Sequence, residues 1–250
     1  MSSQSKYVLI ILSSYSTITV EKSDGTKVEK ETGFFLKELA QPLLHLLEYG
    51  YSPVFASPSG QKPNMDPLSD NAIWFLSFAE KEKEKQLLDK MSVEKNFSSP
   101  KRFADISDEE LSQYRGVFVP GGHAPMGDLG SDPDLGRILS HFHNEGKPTA
   151  VICHGPIALL SMQKQGEKFP YDGYKVTCYA NKEEVSNELL WGGKIRRVED
   201  ALREAGCVVE TAALPLLPKL VVDRELVSGE NPASADQLGV KFVEMLEGKV

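Results

Sequence analysis

The residues with the clearest chemical potential lie together at positions 149–156, Thr-Ala-Val-Ile-Cys-His-Gly-Pro. Ala150, Val151 and Ile152 are small or β-branched and read as a buried parallel strand. Cys153 ends that strand; His154, Gly155 and Pro156 turn the chain, and the spacing of Ile157, Leu159 and Leu160 reads as a helix with Pro156 in its first turn. A thiol on such a strand-to-helix corner stands above the carboxyl edge of a sheet, where open α/β folds keep their sites. Helix N–H groups aimed at it favour the thiolate. Two other stretches can serve a nucleophile. Pro120-Gly121-Gly122-His123 follows a strand, and its glycines let backbone N–H groups approach an oxyanion closely. Glu38 interrupts an apolar helix face formed by Phe34, Phe35, Leu39, Leu43, Leu46 and Leu47; it either reaches solvent at the edge of that face or is buried for a purpose.

These residues need a sheet to hold them, and the rest of the chain supplies one. Residues 6–12 read as a first strand, 17–29 as a small hairpin turning at Asp24-Gly25, and Gly33 onward as the helix that carries Glu38. Strands follow at 51–57 and 115–119, the latter after a capping box at 107–110. Between them, 58–105 is Pro-rich and Lys/Glu-rich, with helical pieces at 71–80 and 84–91, and reads as a cap-like insertion over the site. Its alternating charge run at 81–85 reads as a solvated helix face. After the helix at 133–145 and the Cys153 corner come a strand at 175–180, a short helix at 181–190 carrying Glu183 and Glu184, a hairpin-like pair at 220–223 and 226–228, and a last helix at 232–246. The expected fold is α/β: a flavodoxin-like, doubly wound, mostly parallel sheet with helices on both faces, as one domain over residues 1–250 with the 58–105 insertion.

Composition narrows the function. A formal charge of −8 with scattered basic residues argues against a nucleic-acid or anionic-membrane partner. No apolar run has the length of a membrane span or the form of a signal peptide, so a soluble, cytoplasmic protein is expected. Cys153, Cys178 and Cys207 form no Cys-x-x-Cys pair and leave an odd count, which suits a reducing compartment; Cys178 and Cys207 sit in β-patterned segments and read as inert core. His141 and His143 are two apart on a helix and point to different sides, and His45 among leucines reads as structural, so no metal site is expected. The Gly-Gly turn lacks the spacing of either nucleotide-binding loop.

Pro-Gly-Gly-His followed by Ala-Val-Ile-Cys-His-Gly-Pro resembles the ThiJ/PfpI superfamily, which shares its fold with class I glutamine amidotransferases. Thr32-Gly33, the stretch from Glu38 to Pro42, Asp66-Pro67, the 58–105 insertion and Ser-Gly-Glu-Asn-Pro-Ala-Ser-Ala at 228–235 extend the resemblance over nearly the whole chain, toward its branch of heat-shock chaperones and glutathione-independent glyoxalases (glyoxalase III). The resemblance implies Cys153 as nucleophile, His154 as its histidine, Glu38 as the acid that hydrogen-bonds the thiol and Glu184 as a third acid orienting His154, with Glu183 as the competing choice. It places Gly121, Gly122, His123 and the His154 N–H at the substrate's oxyanion, implies a homodimer, and requires no cofactor. Its metal site is out of register at His45, so no metal is carried over. The function this points to is cofactor-free conversion of methylglyoxal to lactate through a Cys153 hemithioacetal, with a small reactive aldehyde or a glycated protein as substrate. A stress-response chaperone or cysteine redox sensor is the alternative, and a cysteine peptidase or amidase a third.

Overall fold

The computed structural model describes residues 6–75 and 77–249. The chain opens with β1 (Tyr7–Ile11), an antiparallel pair β2 (Thr17–Glu21) and β3 (Lys27–Glu31), helix α1 (Leu36–Glu48) and β4 (Ser52–Ser57). Helix α2 (Phe78–Glu94), a two-residue strand β5 (Lys101–Arg102) and a short helix α3 (Asp108–Gln113) lead to β6 (Tyr114–Val119). Then come α4 (Pro125–Asp128), α5 (Pro133–Asn144) and β7 (Thr149–Ile152). The last part holds β8 (Lys175–Val176), α6 (Asn181–Trp191), α7 (Val198–Glu204), β9 (Val208–Val209), β10 (Leu220–Asp223), β11 (Leu226–Gly229) and α8 (Ala235–Leu246).

Seven strands form the main sheet in the order β10-β11-β7-β6-β1-β4-β5, parallel except for the antiparallel β10–β11 pair. β1, β6 and β7 lie inside it and are apolar along almost their whole length, as strands covered on both faces must be. α1 and α8 pack together on one face; α5 and the 3-10 helix Gly155–Met162 pack together on the other. This is the doubly wound α/β arrangement expected. α1 and α8 approach so closely that a Cβ on Gly239 would stand 2.7 Å from the His45 ring and 2.8 Å from Pro42 Cα. His45 Nε2 meets Asp236 of α8 at 2.8 Å, which is the structural role read for it.

Several local expectations are corrected. The helix after Gly33 begins only at Leu36, because Phe34 first pairs with the start of the insertion: its N–H donates to Asn64 O (2.8 Å) and its carbonyl accepts from Asp66 N (2.9 Å). Gly33 is needed there, since a Cβ would lie 2.7 Å from Asp66 N. In place of two helical pieces, the insertion has a 3-10 turn at Ala72–Trp74 and one continuous α2. The run at 81–85 is not a purely solvated face. Glu84, Leu87, Leu88 and Met91 repeat at helical spacing and are buried against the core, with Glu84 accepting from Gln41 Nε2 at 2.5 Å, while Lys81 and Lys85 both meet Asp70. The expected strand at 175–180 stops at Val176, because Thr177 N–H turns to Ser228 Oγ and Tyr179 N–H to the Cys153 carbonyl. β8 and β9 therefore form a separate small sheet. Cys178 and Cys207 flank that sheet as buried free thiols. His143 meets Glu225 at 2.7 Å and His141 meets Lys147, so the two point apart as read. Among the described residues no helix is long and apolar enough to cross a membrane.

Gly239→Val, remote from the corner, should lower stability by about 2 kcal/mol by overpacking the α1–α8 contact. The urea midpoint would fall with an unchanged denaturant slope; an unchanged midpoint would refute this account of the helix pair.

Candidate active site

Cys153 sits at the end of β7 with φ of 61°, in the left-handed region that non-glycine residues seldom occupy. Both of its backbone groups are fastened: its N–H donates to Gly229 O of β11 (2.9 Å), and its carbonyl accepts from Tyr179 N (2.8 Å). The helix expected after it is a 3-10 helix, Gly155–Met162, with Pro156 in its first turn. Gly155 lets this turn pass under β6, since a Cβ there would stand 2.9 Å from Pro120 O.

The loop after β6 and the start of α1 meet at the thiol. Phe35 N–H donates to Gly121 O (3.1 Å), which fastens the Glu38 helix to the Gly-Gly turn. A Cβ on Gly121 would press against Glu38 Oε2 and lie 2.6 Å from Cys153 Cβ. Gly122, with φ of 91°, has no room either, since a Cβ would lie 2.8 Å from Phe35 N, and its N–H faces the Cys153 sulfur. These two glycines are thus required by close approach.

Glu38 is wholly buried, neither carboxyl oxygen has a hydrogen-bond partner, and the polar group facing it is the Cys153 thiol. Burial pushes its carboxyl up to about 8, against the pull of Cys153 and His123, so it is protonated at neutral pH. Of the two sequence readings for Glu38, the buried one is the one observed. Burial likewise pushes the Cys153 thiol up, with Glu38 adding to the shift and the Gly122 N–H opposing it. The expectation that a helix end favours thiolate therefore gives way to desolvation of a buried site.

His154 Nδ1 lies 3.3 Å from Cys153 Sγ, and its Nε2 lies 2.6 Å from Glu184 Oε2. Burial, then the neighbouring His123 charge, lowers the His154 imidazole against the pull of Glu184. Burial alone would raise Glu184, but His154 and His123 outweigh it and hold the carboxyl well below its ordinary range. A neutral ring bonded through Nε2–H to a carboxylate leaves Nδ1 as an acceptor toward the thiol. Adjacent Glu183 points elsewhere: its Oε1 accepts from Leu216 N (2.5 Å) and Asn231 Nδ2 (2.9 Å). Asn231 belongs to the 228–235 motif, so that motif seats the first turn of α6 and thereby Glu184.

His123 is placed differently from a free substrate-binding donor. Its Nε2 is committed to Glu184 Oε1 (2.9 Å), its Nδ1 faces Asp66 Oδ2 (3.9 Å), and its ring stacks on His154 with centroids 4.0 Å apart. Asp66, which the sequence reading assigned no role, also accepts from Thr32 Oγ1 (2.7 Å) and Leu68 N (2.8 Å). Donor atoms of His123, His154 and Glu184 lie within 4.8 Å of one another, a spacing a metal ion also accepts. Each Glu184 oxygen is already spent on an imidazole, so we read the cluster as hydrogen-bonded.

Phe35, Leu68, Trp74, Tyr179 and Pro232 close over Cys153 and the two histidines, leaving a cavity of about 30 Å³. Trp74 comes from the insertion; its Nε1–H donates to Leu68 O (3.1 Å), its carbonyl accepts from Lys37 Nζ (2.9 Å), and its ring meets Phe35 edge-on at 5.4 Å. Sequence patterning gave no sign of Trp74, a lone aromatic in an irregular segment.

Residues 76–245 match the model of the DJ-1/PfpI family. The chain belongs to the DJ-1/PfpI family. A family relative, the protein/nucleic acid deglycase HchA of Staphylococcus aureus, is 30% identical over 227 residues, which cover 86% of this chain and 73% of the relative. The crystal structure of glyoxalase III from Candida albicans superposes with a TM-score of 0.75 at 22% identity, over 96% of each chain. That of the Francisella tularensis Rapid Encystment Protein 24 kDa gives 0.78 at 21% identity, covering 96% of this chain and 99% of the other. These two structures share the DJ-1/PfpI fold described above.

The raised Glu38 carboxyl sets a sign for stability. Between its ordinary value of 4.5 and about 8 the unfolded chain has lost this proton and the folded one keeps it, so Glu38 makes folding less favourable as pH rises through that window. Glu38→Gln should therefore melt higher than the wild type by a few °C at pH 8 and by much less at pH 5. A melting difference independent of pH would contradict the protonated state of Glu38.

Proposed function

We propose that this chain is a glutathione-independent glyoxalase that converts methylglyoxal to lactate through Cys153. One observation carries the reading: two groups of different kind, the protonated Glu38 carboxyl and the neutral His154 imidazole, converge on one thiol. Hydrolysis of an amide or ester asks for one base beside the nucleophile. Isomerising a dicarbonyl asks for a proton to leave one carbon and reach its neighbour, and a neutral base and a protonated acid beside the same sulfur suit that task.

The steps follow from the geometry. His154 Nδ1 takes the thiol proton as Sγ bonds to the aldehyde carbon C1; the carbonyl electron pair moves to oxygen, next to the Gly122 N–H that faces the sulfur. The proton on His154 returns to that oxygen, giving a hemithioacetal. His154, neutral again, then removes the C1 hydrogen as a proton; the electron pair it leaves passes through an enediol to C2, which receives a proton from the Glu38 carboxyl, the C1 hydroxyl proton passes to the C2 oxygen, and the proton on His154 restores Glu38. C1 is oxidised to a thioester and C2 is reduced to an alcohol, so no outside oxidant or reductant enters. Water attacks C1, the C1–S bond breaks, the thiol regains its proton, and lactate leaves.

The cavity supports a small free aldehyde over a glycated protein. At about 30 Å³ the enclosed space is on the scale of a small molecule. A three-carbon dicarbonyl asks for far less room beside Trp74 and Phe35 than a modified side chain still attached to a folded protein. Repair of a glycated protein would also begin with attack of the thiol on a carbonyl adduct, and Trp74 is the residue on which the two readings part.

Purified protein, without glutathione or added metal, should release lactate from methylglyoxal. Cys153→Ala should reduce this to background, and Glu184→Gln should slow it by about 10²-fold or more. A Cys153→Ala protein with wild-type turnover would end the reading. Trp74→Ala should raise the rate with phenylglyoxal about tenfold relative to methylglyoxal. An unchanged preference would remove Trp74 as the size limit.

A further inference from the structure

We propose that His123, clamped between Asp66 and Glu184, is a positioning residue that fixes Glu184 against His154 and so holds the His154 ring with Nδ1 as the free acceptor toward Cys153. The proposal rests on the roles given above to Cys153 and His154, and it adds a second limb to them, Asp66–His123, that never touches the sulfur.

The geometry is that of one carboxylate divided between two rings. Glu184 Oε2 takes His154 Nε2 at 2.6 Å, and Oε1 takes His123 Nε2 at 2.9 Å together with Asn187 Nδ2 at 2.9 Å. With both oxygens committed, the carboxylate cannot rotate to offer His154 a different edge, and a carboxylate facing Nε2 selects the tautomer protonated there. His123 is fixed in turn by Asp66 Oδ2 at 3.9 Å from Nδ1, by stacking on His154 at 4.0 Å, and by the Trp191 ring at 4.8 Å. Trp191 packs with Ile18 and Val20 of the β2–β3 hairpin, so the hairpin backs this limb.

Charge works in the same direction. Burial would strip His123 of its proton, but Glu184 and Asp66 outweigh burial and hold the imidazolium up at about 9. Burial pushes Asp66 up as well, yet His123, Thr32 and the Leu68 N–H leave it below its ordinary value. A cation stacked on His154 makes a second positive charge there costly, which leaves His154 neutral and able to accept. The charged or titratable groups around the two rings are Glu184 and Glu183 from α6, Asp66 from the insertion, Glu38 from α1, Cys153 at the corner and the Tyr179 phenol. Of these, His123 is the one that disfavours a proton on His154 by its charge.

The test is the rate of Cys153 alkylation by iodoacetamide against pH, which needs no substrate and so stands apart from whether methylglyoxal is turned over. In the wild type, the rise in rate follows the loss of the His154 proton. In His123→Asn the midpoint of that rise should move up by about one pH unit, so that alkylation is about tenfold slower on the acid side and converges with the wild type at high pH. His123→Gln, which likewise removes the charge, should shift the midpoint the same way, and it serves if His123→Asn fails to fold. Nitrogen-15 NMR of labelled histidines should show His154 Nδ1 unprotonated in the wild type and a mixture of tautomers in His123→Asn. A rate lowered by one factor at every pH, or an unmoved midpoint with the wild-type tautomer, would overturn the proposal.

Discussion

The arrangement depends on one residue being held where it would not go unaided. Cys153 carries a side chain at φ of 61°, a conformation that costs on the order of 1–3 kcal/mol and persists only when its surroundings over-determine it. The surroundings do so through hydrogen bonds from two directions, Gly229 of β11 accepting from its N–H and Tyr179 donating to its carbonyl. Two parallel neighbours of β7, namely β6 and β11, extend past the corner into the Gly-Gly turn and the 228–235 motif. The strand ends on either side of the corner therefore carry the loops that surround its sulfur. This explains why three glycines, 121, 122 and 155, crowd one place: the backbone passes within van der Waals reach of itself on three sides of one thiol.

With the thiol fixed, the site separates its acids by surroundings rather than by residue type. Glu38 and Glu184 are both glutamates and both buried, yet one is neutral at pH 7 and the other is ionised. Glu38 comes from an apolar helix face and faces the Cys153 thiol, whose pull does not offset burial, so desolvation decides. Glu184 comes from the first turn of α6 between two imidazoles, so pairing decides. Glu183, one residue away, shows how narrow the distinction is: it is also buried, but backbone and amide donors from Leu216 and Asn231 make it a strut.

Much of this was legible in the residues themselves. Glu38 on an apolar face, two glycines after a strand and a cysteine at a strand end each break a local pattern, and a broken pattern is visible in a single sequence. The parallel sheet could be read because its central strands are uniformly apolar. What could not be read was anything requiring two distant segments to meet. Asp66 looks like an ordinary residue before a proline until Phe34 pairs with Asn64 and Asp66, which sets the carboxylate beside Thr32 and His123. The buried place of Glu84 was masked by the alternating charges around it, because a charge run read in sequence order hides the helical spacing that turns one member inward. The short β8 has the same cause, since hydrogen bonds to Ser228 and Cys153 take Thr177 and Tyr179 out of the ladder.

The segment 58–105, read from the sequence as a cap, is joined to the body at both ends, and that bears on how the sulfur is reached. Its start is tied to Phe34, and its end contributes β5 to the sheet edge beside β4. Leu87, Leu88, Met91, Phe97 and Phe103 are part of the main core. A segment anchored in this way cannot swing away as a unit without opening that core. The side of the cavity it supplies is carried instead by Asp66, Leu68 and the short turn at Ala72–Trp74, which is held by Lys37 and by the Leu68 carbonyl, with Ile73 exposed beside it. Local adjustment of that turn breaks few contacts, whereas movement of α2 would expose the buried Glu84 and its apolar neighbours. On the proposed function, access to the sulfur is therefore a matter of these few side chains and one turn more than of the bulk of the segment.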